Sequence, residues 1–430
     1  MNVSNSLSYK DVNYVFVGCC GDDIANNNPN LKFHGRVLSI YEKSDVMGQS
    51  CIKIKERSAN LARYKEIELT TNCKHGYLYK ALDAWMKPAI AWAKLEDTTR
   101  HEPTYSIDSV LNTKNDRLFN GIIIVNQDGA TRYMKCSGYS DIEHKKPIQL
   151  DDRFIIGSIS KQMTAVLILR EYDNGRLKLD DPVKKYLPQL KQKWADKITI
   201  HQLLTHTHGI PEPIPFTDSN ANHLPDTLKF EPGTKYAYSQ IGFKLLADII
   251  EQTSGHSFID MAEDLFRMCD MSKTHHPVVD TMGHMTKPYY TDSTGAIHPE
   301  RTKMPNALIP AGGFNSSALD MLRWNEHLHG GKLLKPATYK LMMTQHKNAV
   351  RQHPLTGPTA YGYGITVDNN QQIQLGQTGF FPGYASMNYY FPETKTSVIL
   401  LNNVVSDTDL VKAFRYHSAV LKTVVNWLKK

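Results

Sequence analysis

The sequence predicts an α+β fold in which one sheet is assembled from both ends of its larger part, with helices inserted between them. Three observations predict it. "NGIIIVNQDGATRYM", residues 120–134, places two strand-like runs around Asp128-Gly129, a dipeptide that supplies the positive φ angles of a tight hairpin turn. Residues 372–402 carry three more strand-like runs, "QIQLGQTG", "SMNYYF" and "SVILLN". Between these regions, and again at the C-terminus, apolar residues recur at helical spacing.

In chain order, the first candidate strands are "NYVFVG" and "RVLSIYEKSD", followed by "KHGYLYKALDAWMKPAIAWA". The polar, proline-containing stretch "KLEDTTRHEPTYS", 94–106, reads as a linker, which divides the chain into an N-terminal module, 1–105, and a larger domain, 106–430. After the 120–134 hairpin a helix is expected from Ser158 to Tyr172. It carries Ile159, Met163, Val166 and Leu167 on one face, and Asn174-Gly175 ends it. A second helix is expected from Ile241 to Thr253, with apolar positions 241, 245, 246, 249 and 250 and Gly255 as its stop. The chain closes on "DLVKAFRYHSAVLKTVVNWLKK", helical in spacing through positions 410, 414, 417 (a histidine), 421, 424 and 428.

Composition narrows the function classes. With 41% hydrophobic and 22% charged residues the 430-residue chain is globular. Its net charge of +7 is dispersed, which argues against a nucleic-acid-binding role. No apolar run approaches the roughly 18 residues of a membrane span. The short run Tyr14 to Cys20 lacks a basic leader and precedes Asp22-Asp23, unlike a secretory signal. A cytoplasmic location, or export without a signal peptide, is the expectation. Cysteines 19, 20, 51, 73, 136 and 269 show no C-x-x-C spacing, so reduced thiols are expected rather than a zinc site or disulfide framework.

The chemistry centres on "GSISKQMTA", 157–165, where Ser158 precedes Lys161 by three residues. The same spacing in "SCIK", Ser50 to Lys53, falls in an alternating, strand-like stretch where residues three apart point to opposite faces. On the first turn of a helix they share a face. Ser158 there also faces backbone N–H groups and the positive end of the helix dipole, which favour developing negative charge. A plain helix N-cap is the competing role for Ser158. A lysine acting as base must be neutral, and lowering its pKa from about 10.4 to near 7 takes on the order of 4 to 5 kcal/mol. A second base would share that task. Tyr238, after a Pro-Gly turn and just before a helix, is placed to supply one.

Together, "FIIGSISKQMTA", "FEPGTKYAYSQIGFKLLADIIE" and "LGQTGFFPGYAS" resemble, in order and rough spacing, the three motifs of serine β-lactamase-like hydrolases. That family includes class C β-lactamases, penicillin-binding carboxypeptidases, and related esterases and D-amino-acid peptidases. "NGRLKLDDPVKKYLP", "ITIHQLLTHTHGIP" and "IPAGGFNSSALDMLRW" extend the resemblance over about residues 107–427. It implies a β-lactamase/transpeptidase-like antiparallel sheet flanked by helices, with a helical lobe, preceded here by a small α/β module.

The resemblance further implies Ser158 as acylated nucleophile, Lys161 as proton acceptor, Tyr238 as general base and acid, and the backbone N–H groups of Ser158 and Phe380 as the oxyanion hole. Gln240, Gln377, Thr378 and Gly379 would contact substrate, a small-molecule or short-peptide ester or amide, with no metal or cofactor. Two positions depart from the pattern. Gln240 replaces the usual asparagine, and Gln377 replaces the usual lysine or histidine, removing a cation that holds a substrate carboxylate. These departures point to a neutral ester or amide substrate, and they leave a noncatalytic ligand- or partner-binding protein on a weakened scaffold as the alternative.

Two other signals compete. His206 and His208, with His201 nearby, have a spacing that on a strand would suit a metal. The N-terminal module is faintly similar to the C-terminal part of an α/β-hydrolase, with Asp45 and His75 at that fold's acid and histidine positions, but the chain has no G-x-S-x-G elbow.

Overall fold

The computed structural model describes residues 14–17, 37–42, 64–69, 104–112 and 119–429, with 281–282, 370–371 and 407–409 excepted. Asp45, His75, the Ser50–Lys53 pair, the 74–93 segment and cysteines 19, 20, 51 and 73 lie outside the described residues. The chain divides into two compact units, Met1–Glu102 and Pro103–Lys430.

The first unit holds a three-stranded parallel sheet, β1 (Tyr14–Val17), β2 (Val37–Glu42) and β3 (Tyr64–Leu69), with β2 in the middle. Val37, Leu38, Ser39 and Ile40 on β2 are all buried, as a central parallel strand covered on both faces requires.

The second unit opens with α1 (Thr104–Asn112), which begins inside the segment expected as linker. Its sheet has eight antiparallel strands: β4 (Gly121–Gln127), β5 (Ala130–Ser137), β6 (Val350–His353), β7 (Gly357–Tyr361), β8 (Thr366–Asp368), β9 (Gln374–Phe381), β10 (Tyr384–Phe391) and β11 (Thr396–Asn402). Their order is β6-β7-β8-β9-β10-β11-β4-β5, so the two chain ends meet where β11 pairs with β4. Asp128 and Gly129 adopt φ of 47° and 81° in the β4–β5 turn, the conformation a two-residue hairpin needs.

Strand alternation sorts side chains into two cores. Ile122, Ile124, Ile399 and Leu401 point to one face, while Ile123, Val125, Val398 and Leu400 point to the other. The second face packs on α1, through Ile107 and Leu111, and on the C-terminal helix through Val420, Leu421 and Val424. The first face packs on the helical lobe, which contains α2 (Ser160–Asp173), α3 (Ile241–Ser254), α4 (Phe258–Met268) and α5 (Ala318–His329).

Three expected elements differ in form. Residues Ser160 to Leu169 of α2 are all buried, so this helix is enclosed on every side rather than amphipathic. The C-terminal helix is broken at Phe414, into Leu410–Ala413 and α6 (Arg415–Leu428). Ser158 lies in a 3-10 turn, Gly157–Ile159, that leads into α2. α3 ends on Gly255 at φ 74°, as the sequence predicts. Among the described residues, no helix is long and apolar enough to cross a membrane.

Candidate active site

The Gly157–Ile159 turn connects the short strand Arg153–Ile155 to α2. It presses against β9 so closely that a Cβ on Gly157 would lie 2.4 Å from the Phe380 nitrogen and 2.7 Å from the Gly379 carbonyl carbon. Gly157 also adopts φ 55°, a left-handed conformation that favours glycine. Gly379 makes the reciprocal approach, since a Cβ there would lie 2.0 Å from the Ile156 oxygen. Two glycines thus bring the turn bearing Ser158 alongside Phe380. The Ser158 hydroxyl caps neither the 3-10 turn nor α2, which removes the N-cap role.

Lys161 sits one helical turn on and is fully buried. Its Nζ donates to Gln240 Oε1 at 2.5 Å, to the Ala311 carbonyl at 2.7 Å and to Ser158 Oγ at 3.4 Å. These three acceptors match the three donors of an ammonium. Burial pushes this lysine below its ordinary pKa, against the opposing pull of Tyr238 and Glu212. Nζ also lies 4.7 Å from the centroid of the Tyr238 ring and 5.4 Å from that of Phe243.

Tyr238 has a buried hydroxyl that meets no hydrogen-bond geometry, yet it lies within electrostatic reach of Ser158 and Lys161. Burial alone raises its pKa. The Lys161 and Arg351 charges outweigh that, and the net direction is downward. The Lys161 charge thus favours the ionised form of Tyr238, and Tyr238 favours that of Lys161.

Several partners were not legible in the sequence. Glu212, largely buried, accepts from Ser239 Oγ at 2.8 Å and from the Gln240 backbone N–H at 2.8 Å. It fixes the residues that start α3, and burial raises its pKa. Its surroundings in sequence, "IPEPIP", gave no sign of this role. His206 packs on Tyr238 with ring centroids 4.5 Å apart and accepts the Ser239 N–H on Nδ1 at 3.2 Å.

His206 follows a short helix, Ile200–Leu204, at φ 57°, so the strand geometry proposed for a metal pair is absent. His208 likewise accepts a backbone N–H on Nδ1, from Ile210 at 3.0 Å, and His201 Nδ1 meets the Tyr363 hydroxyl at 2.8 Å. Among the described residues, one group of three potential ligands exists, Asp141, Glu143 and His144. It lies on the surface, with Lys287 2.8 Å from Asp141 and 3.1 Å from Glu143.

Gln377 and Thr378 are buried within the sheet. Gln377 Oε1 accepts from Arg351 Nη1 at 2.8 Å, and its Nε2 donates to the Tyr361 hydroxyl at 3.1 Å. Thr378 Oγ1 lies 3.1 Å from His353 Nε2. Arg351 and His353 belong to β6, three places from β9 in the sheet order, so the edge hairpin β6–β7 curls back over β9. The Arg351 guanidinium also stacks 4.5 Å from the Tyr238 ring centroid. Gln377 carries no charge of its own; the fold brings a cation to it from β6.

Residues 107–422 match the Beta-lactamase family. The chain belongs to the Beta-lactamase family. Within this family it is 26% identical over 335 residues to penicillin-binding protein 4* of Bacillus subtilis, with 71% of each chain covered. Its fold is similar to that of the octameric penicillin-binding protein homologue from Pyrococcus abyssi, with a TM-score of 0.61 and 25% identity over 71% of this chain and 73% of that one. The D-amino acid amidase from Ochrobactrum anthropi, complexed with L-phenylalanine amide, shares the fold with a TM-score of 0.65 and 22% identity, covering 76% and 97% of the two chains. Chemistry of the serine-hydrolase superfamily accompanies this Beta-lactamase membership.

Proposed function

We propose that the second unit is a serine hydrolase that cleaves a small ester or amide through an acyl-enzyme on Ser158. The carrying observation is the contact of the fully buried Lys161 Nζ with both Ser158 Oγ, at 3.4 Å, and Gln240 Oε1, at 2.5 Å, beneath the Tyr238 ring. An enclosed cation next to an accessible hydroxyl and a depressed tyrosine is an activation device.

In this reading Tyr238, as phenolate beside the Lys161 ammonium, takes the Ser158 proton as Oγ bonds to the substrate carbonyl carbon. The backbone N–H groups of Ser158 and Phe380 receive the oxyanion, a role supported by the close approach of the Phe380 nitrogen to Gly157, the residue before Ser158. Tyr238 then returns the proton to the departing alkoxide or amine as its bond to carbon breaks. Water, deprotonated by the same Tyr238-Lys161 pair, attacks the acyl-enzyme and frees Ser158. Gln240 spends its carbonyl on Lys161, leaving its NH₂ to meet a substrate carbonyl.

Hydrolysis of short-chain activated esters tests this. Ser158→Ala is expected to lower kcat/KM by at least about a thousandfold, because the covalent route has no substitute nucleophile. Equal rates in the two proteins would dismiss the mechanism.

A further inference from the structure

The nitrogen at Phe380 belongs to a residue whose ring is gripped by the far end of the chain. Phe380 on β9 pairs with Ala385 on β10, and its half-buried ring packs against a small cluster of Ala385, Val405, Ala413 and Phe414. Its neighbour Phe381 is buried in the first core instead. Successive strand side chains point to opposite faces, so the two phenylalanines hold β9 from both sides just where it meets the Gly157 turn. On the Phe380 side the largest buried partner is Phe414, 3% exposed, with ring centroids 6.4 Å apart.

Phe414 is also where the C-terminal helix breaks. At φ −100° and ψ 14° it separates Leu410–Ala413 from α6, and its carbonyl accepts the Ser418 N–H at 2.9 Å. Val420, Leu421 and Val424 of α6 pack in the second core, whereas Phe414 joins the Phe380 cluster. Its support from α6 is His417, whose ring meets it edge-on at 5.1 Å. His417 is 1% exposed, and neither ring nitrogen meets hydrogen-bond geometry, although the Ala385 backbone lies within electrostatic reach. A buried polar ring left unpaired is held at a cost, and the contact it makes is with Phe414.

We propose that Phe414 is a positioning residue for the oxyanion donor, and that the C-terminal segment acts on the site by clamping Phe380 from the sheet face opposite Phe381. The role of the Phe380 N–H rests on the hydrolase reading. An oxyanion donor must lie about 2.7–3.1 Å from the oxygen it receives, so freeing the Phe380 ring lets its N–H drift out of that range. Such drift weakens binding of the transition state and leaves ground-state binding of the substrate alone.

The test compares Phe414→Ala with Val424→Ala, a fully buried truncation on α6 that belongs to the second core. Phe414→Ala is expected to lose about tenfold to a hundredfold in kcat/KM for a short-chain activated ester, less than the roughly 10²–10³ of losing a donor outright. Added to Ser158→Ala, it is expected to leave calorimetric binding of the same ester unchanged. Val424→Ala is expected to lower the urea midpoint and to keep wild-type kcat/KM. Phe414→Leu, which retains most of the apolar bulk, is expected to lose less rate than alanine, and it carries the comparison should Phe414→Ala fail to fold. Equal rate losses at positions 414 and 424, or a rate loss matched by weaker ester binding, would overturn the proposal.

Hydrogen exchange separates this clamp from the hydrolase reading. Peptides covering Gln374–Phe381 are expected to exchange about tenfold faster in Phe414→Ala and at the wild-type rate in Val424→Ala. Faster exchange there, with no ester turned over by wild type, supports the clamp and fails the hydrolase reading alone. Unchanged exchange with undiminished turnover in Phe414→Ala sinks the clamp and leaves the hydrolase standing.

Discussion

Gly157→Ala is the sharpest probe of how the site is built. The residue holds φ 55°, a conformation that costs an L-residue with a Cβ roughly 1–2 kcal/mol. The added Cβ would meet the Phe380 nitrogen at 2.4 Å and two Gly379 backbone atoms at 2.7 and 2.8 Å. Those are backbone neighbours and cannot rotate away, so overpacking adds about 1–3 kcal/mol. A loss of about 2–5 kcal/mol is expected in total. Any relaxation must also push Phe380 away from the turn that bears Ser158, and under the proposed mechanism a displaced oxyanion donor costs about 10²–10³ in rate. Gly175→Ala is the control: its φ is 73°, but nothing lies within 4 Å of the added Cβ, so only the roughly 1–2 kcal/mol conformational cost applies. Urea unfolding and activated-ester hydrolysis of both variants give the comparison. Equal destabilisation of the two, or undiminished hydrolysis in Gly157→Ala, would refute the close-approach argument.

Lys161→Met keeps the volume and removes the buried cation, and single-turnover acylation of Ser158 is expected to slow by about a thousandfold or more. Arg176→Ala strips the half-exposed partner from Glu171, a buried carboxylate bound at 2.5 Å through both oxygens, and denaturant unfolding is expected to show a loss of about 1–3 kcal/mol. Stability is also expected to fall in mild acid. Burial drives His208, His329, His353 and His417 down to about 3, against about 6.5 unfolded, so the unfolded chain binds more protons below pH 6.5. Each histidine contributes stability that is complete above pH 6.5 and is lost toward pH 3, at up to about 1.4 kcal/mol per pH unit. Asp152, Glu212 and Asp248, raised by burial, act in the opposite sense but are fewer. Chemical unfolding at pH 7 and pH 5 checks the sign, and a protein more stable at pH 5 would contradict it.

Elements set by local pattern were legible in the sequence. The Asp128-Gly129 hairpin, the three strands of 372–402 and the helix from Ile241 carry their signals within a few adjacent residues. So did the Ser158-Lys161 spacing, although α2 is buried all round and its expected single apolar face was too narrow a reading. The contacts that complete the site were hidden because they join distant segments. Ala311 and Glu212 meet the Lys161 neighbourhood through a carbonyl and a cap, neither of which has a side-chain signature. Arg351 lies 26 positions before Gln377 on a short edge strand, and only the curl of β6–β7 brings the two together. Gln377 itself carries no charge, and the cation beside it comes from Arg351 on another strand. Residue type at one position does not report charge delivered by another strand.

Intact-protein mass after exposure to a fluorophosphonate, a β-lactam and a short-chain activated ester, in wild type and Ser158→Ala, tests the central claim most directly. One adduct per chain in wild type, absent in the variant, is the predicted result. No adduct with any reagent, or an adduct that persists without the Ser158 hydroxyl, would contradict an activated serine at this site.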